Sequence, residues 1–199
     1  MKQQIVIIHG GVAKENYSDY LDYVRTIEYD PYAEKLQRWK QTLPIELGEN
    51  FEYFYPVMPN KHYADYDAWK EMFEKVIPYL RDDVILIGHS LGSSFLFKYL
   101  SENTLPVSVA TFFSVAGAMT DSDMELLGSF TPDAKKIDQT GIELIYLIHS
   151  RDDDVVPFRD FEILDAHLTG NINMIFEDRG HFMGEEFSEI IEEIRKIQK

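Results

Sequence analysis

The chain of 199 residues contains no cysteine. That absence excludes disulfide frameworks, thiolate metal centres and a cysteine nucleophile together, and it fits a reducing compartment. Positive charge is scarce: 19 Lys and Arg stand against 35 Asp and Glu, a formal net charge of -16. A surface of that sign repels a phosphate backbone, so nucleic acid is not an expected partner. Long apolar runs are missing as well. The amino-terminal segment offers only the run 5–8, far short of a signal-peptide core, and reads as a mature start. Nothing approaches the roughly 18–20 apolar residues that span a bilayer. A cytoplasmic protein without a membrane segment is expected.

What is present is a globular balance, with 45% hydrophobic, 27% charged and 14% aromatic residues. The length suits a single domain over 1–199. Six short apolar runs, at 5–8, 51–57, 84–87, 107–115, 144–148 and 172–176, are mostly continuous, as in strands buried on both faces. Between them apolar residues recur at helical spacing. Leu36, Trp39 and Leu43 follow the cap-like pair Asp30-Pro31, and Trp69, Met72, Phe73, Val76 and Ile77 follow Asp65 and Asp67. Phe187, Ile190, Ile191, Ile194 and Ile197 give the last segment one apolar stripe. Strands alternating with helices predict an α/β fold, about six mainly parallel strands with helices on both faces. Residues 118–141, polar with scattered Met119, Met124, Leu126, Leu127 and Phe130, read as a connecting helix and loop, or as a small lid.

The sharpest motif is Gly88-His89-Ser90-Leu91-Gly92, set between the run 84–87 and a helical pattern holding Phe95, Leu96, Tyr99 and Leu100. G-x-S-x-G between strand and helix describes a turn so sharp that the serine is strained and only glycine fits on either side. Taken alone, the same motif could be a plain strand-to-helix connection. A serine hydroxyl is a weak nucleophile, so it needs a histidine base and an orienting carboxylate, in chain order Ser, Asp, His for this architecture. The acidic turn Asp152-Asp153-Asp154 follows the fifth run and offers three choices; Gly180-His181 follows the sixth and offers the base. His89 sits inside the elbow, where it is expected to pack or bond locally; His9 and His149 end strands, where they could line the site, and His62 and His167 read as surface or packing residues. Neither H-E-x-x-H nor a calcium-loop pattern occurs, so no metal site is expected, and a serine nucleophile with its histidine base needs no cofactor. The developing oxyanion needs backbone donors. Leu91, which opens a helix, supplies one; Gly11 in His9-Gly10-Gly11-Val12 is the first choice for the other, with Val12 in reserve.

These residues resemble the α/β-hydrolase superfamily nearly end to end. The small size, the Asp153 to Pro157 turn and Gly180-His181-Phe182 ahead of Glu186-Phe187 are similar to small serine hydrolases related to retinoblastoma-binding protein nine and the YdeN group. The resemblance implies Ser90, Asp153 and His181 as a triad, and it is the resemblance that selects Asp153. It implies hydrolysis of a carboxylic ester or related acyl bond of a small molecule. The serine at the elbow speaks against dehalogenase or epoxide hydrolase chemistry. The rivals are an interaction module on the same fold, and a thioesterase or peptidase with the same triad. Departures from the family lie at His9-Gly10-Gly11-Val12 and in the tyrosines 17, 20, 23, 29 and 32, which read as a packed surface helix or as a pocket wall.

Overall fold

A computed structural model describes residues 1–32, 37–122 and 126–197. Six strands form one sheet: β1 (Gln3–Ile8), β2 (Phe51–Phe54), β3 (Val84–His89), β4 (Val109–Val115), β5 (Ile145–Ser150) and β6 (Ile172–Phe176). Their order is β2-β1-β3-β4-β5-β6, and every pair is parallel. Each strand coincides with one of the six apolar runs. The second run is shorter than its pattern because Pro56 cannot donate to a ladder and Val57 faces solvent.

Parallel pairing forces a crossover between strands, and the helices supply it. Helices α3 (Tyr66–Glu74), α4 (Leu91–Glu102) and α5 (Phe158–His167) bury Trp69, Phe73, Phe95 and Phe161 on one face, against Val6, Leu86 and Phe112. On the other face, α2 (Trp39–Leu47) and α6 (Ser188–Ile197) bury Trp39, Leu43, Ile190 and Ile194 against Ile7, Ile87 and Ile148. Alternating strand residues therefore serve opposite cores. Helix α1 (Tyr17–Thr26) buries no residue; Tyr17 and Tyr20 lean on Tyr63, and Tyr23 on His62. It is a surface helix, as its spacing predicts, and Tyr23 also reaches the lining of a cleft.

Two helix starts show how local signals are read. Asp65 caps α3, its carboxylate accepting the Ala68 N–H at 3.0 Å. The Asp30-Pro31 pair does not open α2. That helix begins at Trp39, where Arg38 and Gln41 form a reciprocal cap, while Leu36 lies outside the described residues. Of residues 118–141, the described part makes two short 3-10 turns, Gly128–Phe130 and Ile137–Thr140, whose Phe130 and Ile137 are buried beside α4; Met124 lies outside it. The chain turns back between β1 and β3, and in open α/β sheets the ligand crevice forms at the carboxyl ends of such strands.

Candidate active site

Strand β3 ends at His89 and α4 begins at Leu91, so Ser90 alone makes the bend, with φ 55° and ψ -128°. A positive φ in a non-glycine residue costs about 1–3 kcal/mol and persists only where the surroundings hold it. Here the Ser90 N–H donates to Val115 O at 2.9 Å and its carbonyl accepts from Ser93 N–H at 2.8 Å. The flanking glycines have separate reasons. A Cβ on Gly88 would stand 2.6 Å from Ser93 Cα, and one on Gly92 would stand 2.3 Å from Ile8 O. From the end of β1, Gly10 approaches so closely that its Cβ would lie 3.0 Å from Ser90 Cβ.

The loops after β5 and β6 bring Asp153 and His181 together. His181 Nδ1–H donates to Asp153 at 2.9 Å (Oδ2) and 3.1 Å (Oδ1), which leaves Nε2 as the proton acceptor. Asp153 is buried and also accepts the Val155 and Val156 N–H groups, each at 2.9 Å. Its neighbours do other things. Asp152 accepts the Ser150 hydroxyl at 2.5 Å and the Gly180 N–H at 2.8 Å, tying one loop to the other. Those two bonds hold its carboxyl below the usual range. Asp154 is exposed. The turn carrying His181 has two left-handed residues, Gly180 and Phe182, and Phe182 stacks on Phe187.

The other strand-end histidines have occupied rings. His9 donates from Nδ1 to Gly10 O at 2.7 Å and accepts the Met58 N–H on Nε2 at 3.0 Å. His149 donates from Nε2 to Val156 O at 3.0 Å beneath Asp153. Burial lowers the pKa of both, which keeps them neutral. His62 faces Tyr23, and His167 bonds the carbonyl of Ile163 within α5.

A family model described as serine hydrolase matches residues 36–196. The chain belongs to the serine hydrolase family. Among solved structures it is similar to the ydeN gene product from B. subtilis, with TM-score 0.77 and 20% identity over 98% of each chain. It is also similar to a protein described as a YdeN-like hydrolase from Pectobacterium atrosepticum (0.68, 14%, covering 99% of this chain and 91% of that one). An esterase from Exiguobacterium antarcticum matches with TM-score 0.65 and 17% identity over 99% of this chain and 92% of that one. At these identities the likeness is one of fold, the α/β-hydrolase fold. No curated protein matches the sequence.

In this serine hydrolase a cleft of about 580 Å³ lies over Ser90 and His181, with Gly10, Gly11, Lys40 and Val155 also in its lining. A larger hollow of about 690 Å³ sits at the amino-terminal strand ends, near Asp83 and Ser108, and has neither histidine nor cation in its lining. Of the two, the smaller one holds the candidate residues Ser90 and His181. Of the two oxyanion choices beside Leu91, the Val12 N–H is already donated to Lys61 O at 2.7 Å, whereas the Gly11 N–H has no acceptor among the described residues. Leu91, as the first residue of α4, has no intrahelical acceptor for its N–H. No group of three His, Asp or Glu residues that could hold a metal occurs among the described residues, and none of their helices is long and apolar enough to cross a membrane.

The sequence reading missed α2 as a cradle for the histidine turn. Trp39 donates its indole N–H to Phe182 O at 2.9 Å and its main-chain N–H to Gly184 O at 3.0 Å; Thr42 bonds Glu185 O, and Arg38 bonds Met183 O. Lys40 was also missed. It is only 6% exposed, and its Nζ stands 3.2 Å from Nδ1 of buried His89. A signal was available: Lys40 is one residue from Trp39 and three from Leu43, on the helix face that the stripe marks as buried.

Proposed function

We propose that this serine hydrolase cleaves a carboxylic ester, or a closely related acyl bond, of a small molecule through Ser90, His181 and Asp153. The Ser90 hydroxyl attacks the acyl carbon while His181 Nε2 takes its proton. The C–O bond to the alcohol then breaks, and the same proton goes to the departing oxygen. Water, deprotonated by His181, releases the acid and restores the serine. Asp153 holds the imidazole in the tautomer with Nδ1 protonated and stabilises the imidazolium. The Leu91 and Gly11 N–H groups receive the oxyanion, a donor of this kind being worth about 3 kcal/mol in transition-state binding. No cofactor takes part.

The observation that carries this reading is the bond from His181 Nδ1–H to the buried Asp153, in a cleft that also holds Ser90 in its strained turn. The test is Ser90→Ala against short p-nitrophenyl esters, with fluorophosphonate labelling of the parent. Labelling at Ser90 and loss of turnover in the variant are expected. Equal hydrolysis by parent and variant, or an unlabelled parent, would leave an interaction module as the better account. Thioesters and peptides in the same assay show whether oxygen esters are the preferred acyl donors.

A further inference from the structure

The cleft differs in charge from the molecule around it. The whole chain carries 35 Asp and Glu against 19 Lys and Arg. Among the described residues lining the cleft there is no carboxylate, while Arg38, Lys40 and Lys61 all contribute. The potential a substrate meets is set by the nearest charges within low-dielectric walls, and the net charge sets only the far field.

Lys40 is the telling member. Long cations ordinarily keep the ammonium in water. This one is buried against its own Trp39 ring, with Nζ 4.8 Å from the centroid, and makes no ion pair among the described residues. The groups facing it are His89 at the end of β3, Arg38 at the cap of α2 and His9 at the end of β1; the two histidines are neutral, and it is the Arg38 guanidinium that, after burial, disfavours a second charge. Among the described residues the one polar partner of its ammonium is His89 Nδ1 at 3.2 Å. His89 Nε2 lies 2.9 Å from the His181 carbonyl, so it carries the proton and Nδ1 is an acceptor. An ammonium has three donors, so two remain for an occupant of the cleft.

We infer that the cleft selects acyl substrates bearing a carboxylate away from the scissile bond, with Lys40 as the buried anion contact and Lys61 and Arg38 at the rim. This rests on the acyl-hydrolase reading above. A carboxylate would supply the counter-charge that Lys40 lacks, and a charge-assisted bond in a partly dried cleft is stronger than one in water. Lys40 then acts as a specificity residue in substrate binding, apart from the proton transfers of His181.

The test compares the mono-p-nitrophenyl ester of glutaric acid with p-nitrophenyl butyrate, read as the ratio of their kcat/KM values. The parent should favour the carboxylate ester by about tenfold or more at pH 6.5. The ratio should fall as pH rises, because burial pushes the Lys40 amine down to about 7 and the bare amine gives up its charge. Lys40→Met should lower the ratio about tenfold, and Lys61→Gln, at an exposed position, by about two- to threefold. A merely structural role for Lys40 would lower both esters together and leave the ratio intact. That result, or a parent with no preference for the carboxylate ester, overturns the inference while ester hydrolysis stands. If the parent turns over neither ester, the triad reading fails instead, and the anion site is read by calorimetry of glutarate against butyramide. Glutarate binding that Lys40→Met weakens about tenfold keeps the inference; equal binding of the two compounds ends it. Should Lys40→Met not fold, Lys61→Gln gives the same ratio and the same binding comparison, and no change in either overturns it.

Discussion

His89 Nε2–H donates to the main-chain carbonyl of His181 at 2.9 Å, so the residue before the elbow serine fixes the backbone of a histidine that lines the same cleft as that serine. The bond spans 92 positions of sequence, and on its other side His89 accepts from Lys40. Burial first, then the charges of Lys40 and His181, hold His89 well below the usual histidine range and keep it neutral.

Removing that tether should cost rate more than binding. His89→Phe is expected to lower kcat for a p-nitrophenyl ester by about 10- to 100-fold, the scale of a sub-ångström to ångström misplacement of a reacting group. KM should change little. His89→Gln, which keeps a donor, should recover part of the loss. Equal kcat in parent and His89→Phe would show that the carbonyl bond positions nothing.

The aspartates of the turn should separate by role. Asp153→Asn is expected to reduce kcat by about 10³- to 10⁴-fold, because an amide cannot hold the imidazole in the required tautomer. Asp152→Asn retains an acceptor for Gly180 N–H and is expected to keep activity within about tenfold while lowering Tm. Steady-state kinetics with a melting curve on each variant decides it; a larger kinetic loss at Asp152 would reverse the assignment.

Lys40 should make stability depend on pH in a stated direction. Burial lowers its amine from the ordinary 10.5 to about 7. Between those values the unfolded chain holds the proton and the folded chain does not, so stability rises with pH across that window; below about 7 the full cost of the buried charge is present. Lys40→Met removes the charge and keeps the aliphatic stem. It leaves His89 Nδ1 without its donor, at about 1 kcal/mol, and relieves a buried, unpaired charge whose cost is about 3 kcal/mol or more. The variant should therefore melt above the parent at pH 6, with the gain shrinking toward pH 10. Calorimetric scans at pH 6, 8 and 10 check this, and a gain that does not change with pH would refute it.

Close packing at the elbow predicts intolerance of a single methyl group. In Gly92→Ala the new carbon must come within 2.3 Å of Ile8 O and 2.6 Å of His9 O, both main-chain atoms that cannot swing aside. A loss of about 3 kcal/mol or more is expected, equivalent to a fall in Tm of roughly 6–12 °C for a chain of this size. Thermal denaturation measures it. Gly141→Ala is a useful contrast: its Cβ meets nothing within 4 Å, so only the strain of φ 70° is felt.

The sequence by itself determined the local features. Short, mostly continuous apolar runs marked all six strands, Asp65 marked the start of α3, and Gly88-His89-Ser90-Leu91-Gly92 marked a bend in which Ser90 is strained. Each follows from residues adjacent along the chain, whose sterics and hydrogen bonding act whatever the rest of the molecule does. Spacing left Asp152, Asp153 and Asp154 open and the family resemblance pointed to Asp153, which the structure places against His181; only the tertiary structure decided that Val12 N–H is taken by Lys61 and that α2 rather than a nearer segment holds the histidine turn. It also decided that Lys40 is shut in beside His89. These are contacts between groups 28 to 143 positions apart. Local preference does not set them, because strand order and the direction in which each loop leaves the sheet fix which side chains meet, and those depend on how the whole core packs.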